Sequence, residues 1–331
     1  MKRRQILELS AKSILATLAI SLASKSSAKP ALKTGLVLDD AFVNHHISAS
    51  HPESPARYHA IKQKIITNDL LAKTMPIVPK SDAEKWLGLI HSPQHINAIK
   101  TQQNVMHDNA LLATAGVLAA VDAVCENQVE NAFCASRPPG HHARNTGQEE
   151  GFCYYNHIAI AAKYAQQQYE RKRILIVDWD YHHGDGTEWA FYSDPSVLYF
   201  STHDMFAYPR TGFPSRIGEG KGEGFNINVH LNCGSGDEDI IEAFINKLLP
   251  AAEQFQPDLI LISAGFDSRQ DDLLGCFDIS DKGFMLLTNM IKILAATHCQ
   301  GNIVSMLEGG YNLQGNASAV MAHITTLANL N

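Results

Sequence analysis

Cysteine is scarce and unpatterned in this chain of 331 residues. The six cysteines (Cys125, Cys134, Cys153, Cys233, Cys276 and Cys299) are scattered, with no CxxC pair. They read mostly as core thiols, not as a disulfide framework or a cysteine-type zinc site. No run of eighteen uninterrupted apolar residues occurs, which argues against a multi-pass membrane protein. Basic residues are the minority: 27 Lys and Arg face 34 Asp and Glu, a formal net charge of −7. Nucleic acid, which needs a basic face, is therefore not an expected partner. An acidic surface favours cationic substrates. Repeats, low-complexity tracts and internal linkers are also lacking.

The 45% of hydrophobic residues is that of a globular protein. The N-terminus has a different character. Met1-Lys2-Arg3-Arg4 is basic, Ser13 to Ala23 is weakly apolar, and Ser26-Ser27-Ala28 offers a small-residue cleavage site. Arg3-Arg4-Gln5-Ile6-Leu7 resembles the twin-arginine export pattern. The expectation is an export signal over 1–28, a catalytic domain over 29–331, a periplasmic location, and no stable membrane span after signal removal. The bland alternative is an amphipathic N-terminal helix. Residues 1–28 carry a net +4, so the mature chain would carry about −11.

Beyond the signal, short apolar runs alternate with amphipathic segments. Strands are expected at 34–38, 173–178, 197–201, 225–229, 259–263 and 303–306, with a short one closing at Phe133. Helices are expected at 83–90, 93–101, 111–124, 156–169, 237–253 and 281–297. This alternation predicts one α/β domain, a parallel sheet with right-handed crossovers and helices on both faces.

Residues Ile174 to Thr187, ILIVDWDYHHGDGT, carry the chemistry. An apolar β-branched run ends abruptly in Asp178, Asp180, His182, His183 and Asp185. Ligands of open α/β sheets bind beyond the carboxyl ends of strands. Asp180 and His182 are two apart and point the same way along an extended segment. An oxygen and a nitrogen donor converging there suit Zn²⁺. Asp178 shares their parity and can support them or hold another ion. A turn rich in helix caps is the bland alternative, but a cap does not need three Asp and two His.

Four more polar clusters fall in loops. In His51-Pro52-Glu53-Ser54-Pro55-Ala56-Arg57-Tyr58, Glu53 reads as plain helix-entry chemistry. Arg57 is either the same or a ligand for a carbonyl or carboxylate near the site. Arg137-Pro138-Pro139-Gly140-His141-His142-Ala143 is a rigid loop with tandem histidines, either surface turn residues or an acid–base pair tuned by carboxylates. Asp178 and Asp185 are the carboxylates to spare. Asp267, just past the run Leu259-Ile260-Leu261-Ile262, is either a cap or a third metal ligand. Tyr311 follows Glu308-Gly309-Gly310 and is either a rim aromatic or a donor to a developing oxyanion.

Together, HPESPARY, RPPGHHA, GFCYYN, VDWDYHHGDGT, SAGFDS and EGGY resemble the zinc-dependent histone deacetylase family and its acetylpolyamine amidohydrolase relatives. They occur in family order over nearly all of 34–331, and look more like a bacterial class II-like member than class I. The resemblance implies the arginase/deacetylase fold, a parallel sheet flanked by helices. It implies one zinc ion on Asp180, His182 and Asp267. It pairs His141 with Asp178 and His142 with Asp185, and makes Tyr311 the carbonyl-polarising group. Gly151, Phe152, Tyr208 and Leu274 would line the substrate channel. A structural potassium ion would lie at Asp178, Asp180, His182, Ser201 and Thr202, held largely by main-chain oxygens.

Asp271-Asp272 stands where the family commonly has Gly-Asp-Pro or Asp-Asp-Pro, and the segment from Ala143 to Gly151 is slightly long. Both features bear on substrate choice. The substrate is expected to be an acetyl-lysine protein or peptide, or else an acetylated polyamine or other small amine. A non-catalytic module would need a lost ligand or a lost tyrosine, and neither is lost. Leu274, at the position where polyamine deacylases place an acid, favours acyl-lysine. Asp271 and Asp272 read as a solvated turn, with the counterargument that either can swing to the mouth.

Overall fold

The segment Ile174–Asp178 is a strand buried along its whole length. Leu175 and Val177 point into one apolar core, Ile174 and Ile176 into a second on the opposite face. The period-two alternation of a strand places them so. With both faces covered, the strand reads as a continuous apolar run. The computed structural model describes residues 33–102 and 104–330. The reading of 1–28 as an export signal, and the domain start at 29, lie outside the described residues.

In chain order the strands are β1 (Thr34–Val37), β2 (Met75–Ile77), β3 (Asn131–Cys134), β4 (Ile174–Asp178), β5 (Val197–His203), β6 (Asn226–His230), β7 (Leu259–Ala264) and β8 (Ile303–Leu307). They form one eight-stranded sheet in the order β2-β1-β3-β8-β7-β4-β5-β6. Every pairing is parallel. Helices Pro55–Thr67, Asp281–His298 and Leu313–Leu327 pack on one face. Helices Asn104–Cys125 and His157–Tyr169 pack on the other. Val105–Cys125 is long and apolar enough to cross a membrane, yet 72% of its apolar window is buried in the fold. This is the α/β architecture that the alternation of runs predicts.

The departures have local causes. Strand β2 escapes the pattern because it has three residues, one of them Pro76. It sits at the sheet edge, where a missing N–H is tolerated. The expected helix over 83–90 is a 3-10 helix, Ala83–Leu89. The expected helix over 237–253 is three pieces: Asp237–Ala243, a π-helical turn Phe244–Leu248, and Leu249–Phe255. Pro250 near the start of the third piece cannot donate the regular backbone bond. The cysteines need a correction. Cys233 and Cys276, 43 residues apart, form a disulfide with their Cα atoms 5.1 Å apart. The loops after β6 and β7 bring them together, which linear spacing does not reveal. Cys134, Cys153 and Cys299 are buried free thiols, and Cys125 is half-buried.

Candidate metal centre and active site

Four adjacent strands, β3, β8, β7 and β4, send their carboxyl-terminal loops to one place. Asp180 and His182 leave β4, and Asp267 leaves β7. Their donor atoms all lie within 4.8 Å of one another. His182 Nδ1 is 3.0 Å from Asp267 Oδ2 and 3.2 Å from Asp180 Oδ1. Backbone N–H groups hold the remaining oxygens: Gly309 N donates to Asp180 Oδ2 at 2.8 Å, and Tyr181 N to Asp267 Oδ1 at 2.9 Å. A Cβ on Gly309 would stand 2.1 Å from Asp267 Oδ2, so only glycine lets the β8 turn approach the cluster. Burial raises Asp267, and the neighbouring Asp180 charge raises it further. Burial also works against the Asp180 carboxylate, but His141 and His182 outweigh it and hold that group low. Two oxygens and one imidazole nitrogen in a buried concentration of negative charge fit a zinc ion with a position left open.

The loop after β3 brings the tandem histidines against this cluster. Their rings lie 4.1 Å apart. His141 Nδ1 is 3.1 Å from Asp178 Oδ2, and His142 Nδ1 is 2.9 Å from Asp185 Oδ1. The two carboxylates are differently held. Tyr199 donates its hydroxyl to Asp178 Oδ2 at 2.9 Å, while Arg144 Nε stands 3.5 Å from Asp185 Oδ2. Burial lowers the pKa of both imidazoles. At His141 the charges of Asp180 and Asp178 override burial and push it well above its ordinary value. At His142 burial and the His141 charge win, pushing it down to about 4. Unequal surroundings thus push the two imidazoles in opposite directions.

Tyr311 lies beside the cluster, 5% exposed, on the turn after β8. Arg57 fixes that turn. Its Nε donates to Gly310 O at 2.6 Å, its Nη2 to Glu308 O at 2.5 Å, and its guanidinium lies 4.8 Å from the Tyr311 ring centre. Of the two readings of Arg57, carbonyl binding near the site is the one observed. Glu53 corrects the helix-entry reading. It is fully buried, with Arg137 Nε at 2.5 Å, Arg57 Nη1 at 3.2 Å and His45 Nε2 at 3.2 Å. Arg137, two residues before Pro139, thereby ties the tandem-histidine loop to the Arg57 helix. Sequence reasoning also passed over Glu308, read only as part of a turn. Its Oε2 accepts from Gly140 N at 2.6 Å and from His141 N at 3.3 Å, and its Oε1 from Ser263 Oγ at 3.2 Å. The residue types left a signal, a Glu and an Arg flanking glycine or proline turns, but their partners are distant in sequence.

Three of the four expected channel residues, Gly151, Phe152 and Tyr208, also converge. The Phe152 ring centre is 6.0 Å from that of Tyr311, and Tyr208 is 5.0 Å from His142. Gly151 separates the walls: a Cβ there would meet His142 Cδ2 at 2.4 Å and Tyr208 Cε1 at 2.7 Å, and its φ is +54°. Phe152 also holds a positive φ of 69°, an uncommon conformation for a bulky side chain. Its N–H donates to the Glu149 carboxylate. Leu274 is 39% exposed, with Leu273 beside it at 67%. Asp272 is not an idle solvated acid: both of its oxygens accept from backbone N–H groups. Ser201 and Thr202 are buried on β5, where Ser201 pairs with Asp178 in the sheet register.

The family model described as the histone deacetylase domain matches residues 51–327. The chain belongs to the histone deacetylase family. A "Probable deacetylase" of Archaeoglobus fulgidus is 35% identical over 300 residues, covering 85% of this chain and 82% of that protein. "Histone deacetylase 15" of Arabidopsis thaliana is 37% identical, covering 84% and 52%. "Polyamine deacetylase HDAC10" of Homo sapiens is 35% identical, covering 83% and 44%. This chain therefore spans about half the length of the plant and human relatives. The solved structure titled "Crystal Structure of HDA15 HD domain" superposes with a TM-score of 0.84 at 35% identity, covering 90% of this chain and 88% of that one. The fold is that of histone deacetylase domains, the arginase/deacetylase fold, and the chain is a hydrolase of the amide deacetylase kind.

Proposed function

We propose that this deacetylase uses one zinc ion to remove acetyl groups from lysine side chains of proteins or peptides, releasing acetate. Asp180, His182 and Asp267 would hold the ion; when bound, it supplies Lewis acidity that acidifies water and polarises the amide carbonyl. His142 is the base. Its Nδ1 faces Asp185, which leaves Nε2 for the proton that water gives up as its oxygen bonds the carbonyl carbon. Burial keeps the Tyr311 phenol protonated, so it donates to the developing oxyanion. The C–N bond then breaks, and the leaving amine takes a proton from the imidazolium at His142 or from His141.

Thr202 supports the potassium reading, since its buried Oγ1 has no hydrogen-bond partner among the described residues. That ion, at Asp178, Asp180, His182, Ser201 and Thr202, would have a structural part only. The twin-arginine-like start supports export to the periplasm, and a disulfide is at home in an oxidising compartment.

The choice of lysine rests on Leu274. A half-exposed leucine at the gatekeeper position packs a four-carbon stem but offers a second ammonium nothing. The Asp272 carboxylate is engaged by the backbone, which weakens the case for a rim acid there. Named relatives at about equal identity include both substrate classes, so similarity does not choose between them. The second reading is an acetylpolyamine or other small acylated amine, favoured by the exposed Asp271. Competitive kinetics on acetyl-lysine peptide and acetylpolyamine decide. Wild type is expected to have the higher kcat/KM on the peptide, and Leu274→Glu to move preference toward the polyamine. A wild type that already prefers the polyamine overturns the lysine assignment.

A further inference from the structure

Tyr311 follows two glycines, Gly309 and Gly310, the second at a φ of +118°. Such a turn has no stiffness of its own, because glycine visits most of backbone space. An oxyanion donor must nonetheless be held in place, since its contribution depends on not having to reorganise during the reaction. Arg57 restrains the turn from its carbonyl side, through Glu308 O and Gly310 O. Gly310 O and Tyr311 N are opposite edges of one planar peptide unit, and the next unit carries Asn312 N, so a full hold on the turn also takes an acceptor on the N–H side.

Asp272 supplies the other side. Its Oδ2 accepts from Tyr311 N at 2.7 Å and from Asn312 N at 3.0 Å, while its Oδ1 accepts from Leu274 N at 2.9 Å. Asn312 Nδ2 adds a second link to the same segment, donating to Asp271 O at 2.8 Å. One side chain thus gathers three backbone donors from two segments. The segment that carries it is anchored in turn. Cys276 is bonded to Cys233, and Cys276 O accepts from Gly234 N at 2.7 Å.

We propose that Asp272 is a positioning residue for Tyr311, clamping the backbone of the tyrosine turn to the rim segment that bears Leu274. The inference rests on the amidohydrolase reading above. It gives Asp272 a part in turnover without contact with substrate. It also gives a rim change a route to the reaction: displacement of the Leu274 segment moves the Tyr311 backbone.

The test is a double-mutant cycle between Asp272→Ala and Tyr311→Phe, on the zinc-loaded full chain with an acetyl-lysine peptide. Asp272→Ala is expected to lower kcat by about 10- to 100-fold with KM changed less than about threefold, a part of what one oxyanion donor contributes. In the Tyr311→Phe background the same change is expected to alter kcat less than about twofold. Asp272→Asn keeps one acceptor oxygen but sets an NH2 against the other donor side, so it is expected to recover only part of the loss; it also serves if the alanine variant folds poorly. Equal losses in both backgrounds overturn the inference, as does a loss that falls on KM alone. A wild type inactive on both this peptide and an acetylpolyamine would instead overturn the amidohydrolase reading, and one active only on the polyamine moves the same cycle to that substrate, so the two failures are distinguishable.

Discussion

Tyr311 shows how much one atom is asked to do. Replacing it with phenylalanine removes a hydroxyl and almost nothing else, since the ring stays packed near Phe152 and Arg57. Tyr311→Phe is expected to lower kcat by about 10²- to 10³-fold, the usual cost of losing one oxyanion donor. Zinc content should be unchanged, because the phenol is not one of the three clustered donors. Turnover measured together with metal analysis checks both. Chelation should abolish wild-type activity and Zn²⁺ restore it, whereas Asp267→Ala should not recover with Zn²⁺. At this scale the sequence was readable where chemistry concentrates. Asp180 and His182 stand two apart just past the point where an apolar strand turns polar; the polarity switch located the pair, while the bend after β4, not strand parity, makes it converge. Glu308 was not readable. Its neighbours in sequence say turn, and its work is done on Gly140 and His141, 168 and 167 residues away.

The helix Pro55–Thr67 and the loop after β3 are joined through one buried carboxylate. Glu53 meets Arg137, Arg57 and His45 with no solvent exposure. Burial opposes its charge, but His45, Arg137 and Arg57 outweigh burial and hold the carboxyl far below its ordinary value of 4.5. Glu53→Ala leaves two buried guanidinium groups without their acid. It is expected to cost about 3–5 kcal/mol of stability at neutral pH, measured by urea denaturation. The sign with pH follows from the lowered value. The ionised group stabilises the fold above about pH 4.5 and loses that effect as acid protonates it, so wild type and variant should converge as pH falls below 4.5. Among the elements, β4 and β7 announced themselves as apolar runs. The edge strand β2 and the interrupted helix around Phe244–Leu248 did not, because a short length and a proline each break the periodic signal.

For the whole molecule, strand order is what makes a site of scattered motifs. β3, β8, β7 and β4 are neighbours in the sheet though far apart in the chain, so their four loops meet. The export reading is a prediction at this scale. Mature protein is expected outside the cytoplasm without residues 1–28, checked by fractionation and N-terminal sequencing. Replacing Arg3 and Arg4 with lysine is expected to block export; an intact cytoplasmic N-terminus would reject the signal. The sequence by itself determined the α/β class and singled out Asp180, His182 and Asp267, the tandem histidines with their aspartates, and Tyr311, which the fold brings together. It could do so because polarity switches at the ends of apolar runs and short motifs are local properties. The tertiary structure alone decided that Glu53 is a buried ionic hub, that Cys233 meets Cys276, and that Asp272 grips the Tyr311 turn. Each of these is a contact across long sequence separation, as Arg57 to Gly310 is across 253 residues. Local periodicity carries no record of such pairs, since packing of the whole sheet and its helices is what brings them within bonding distance.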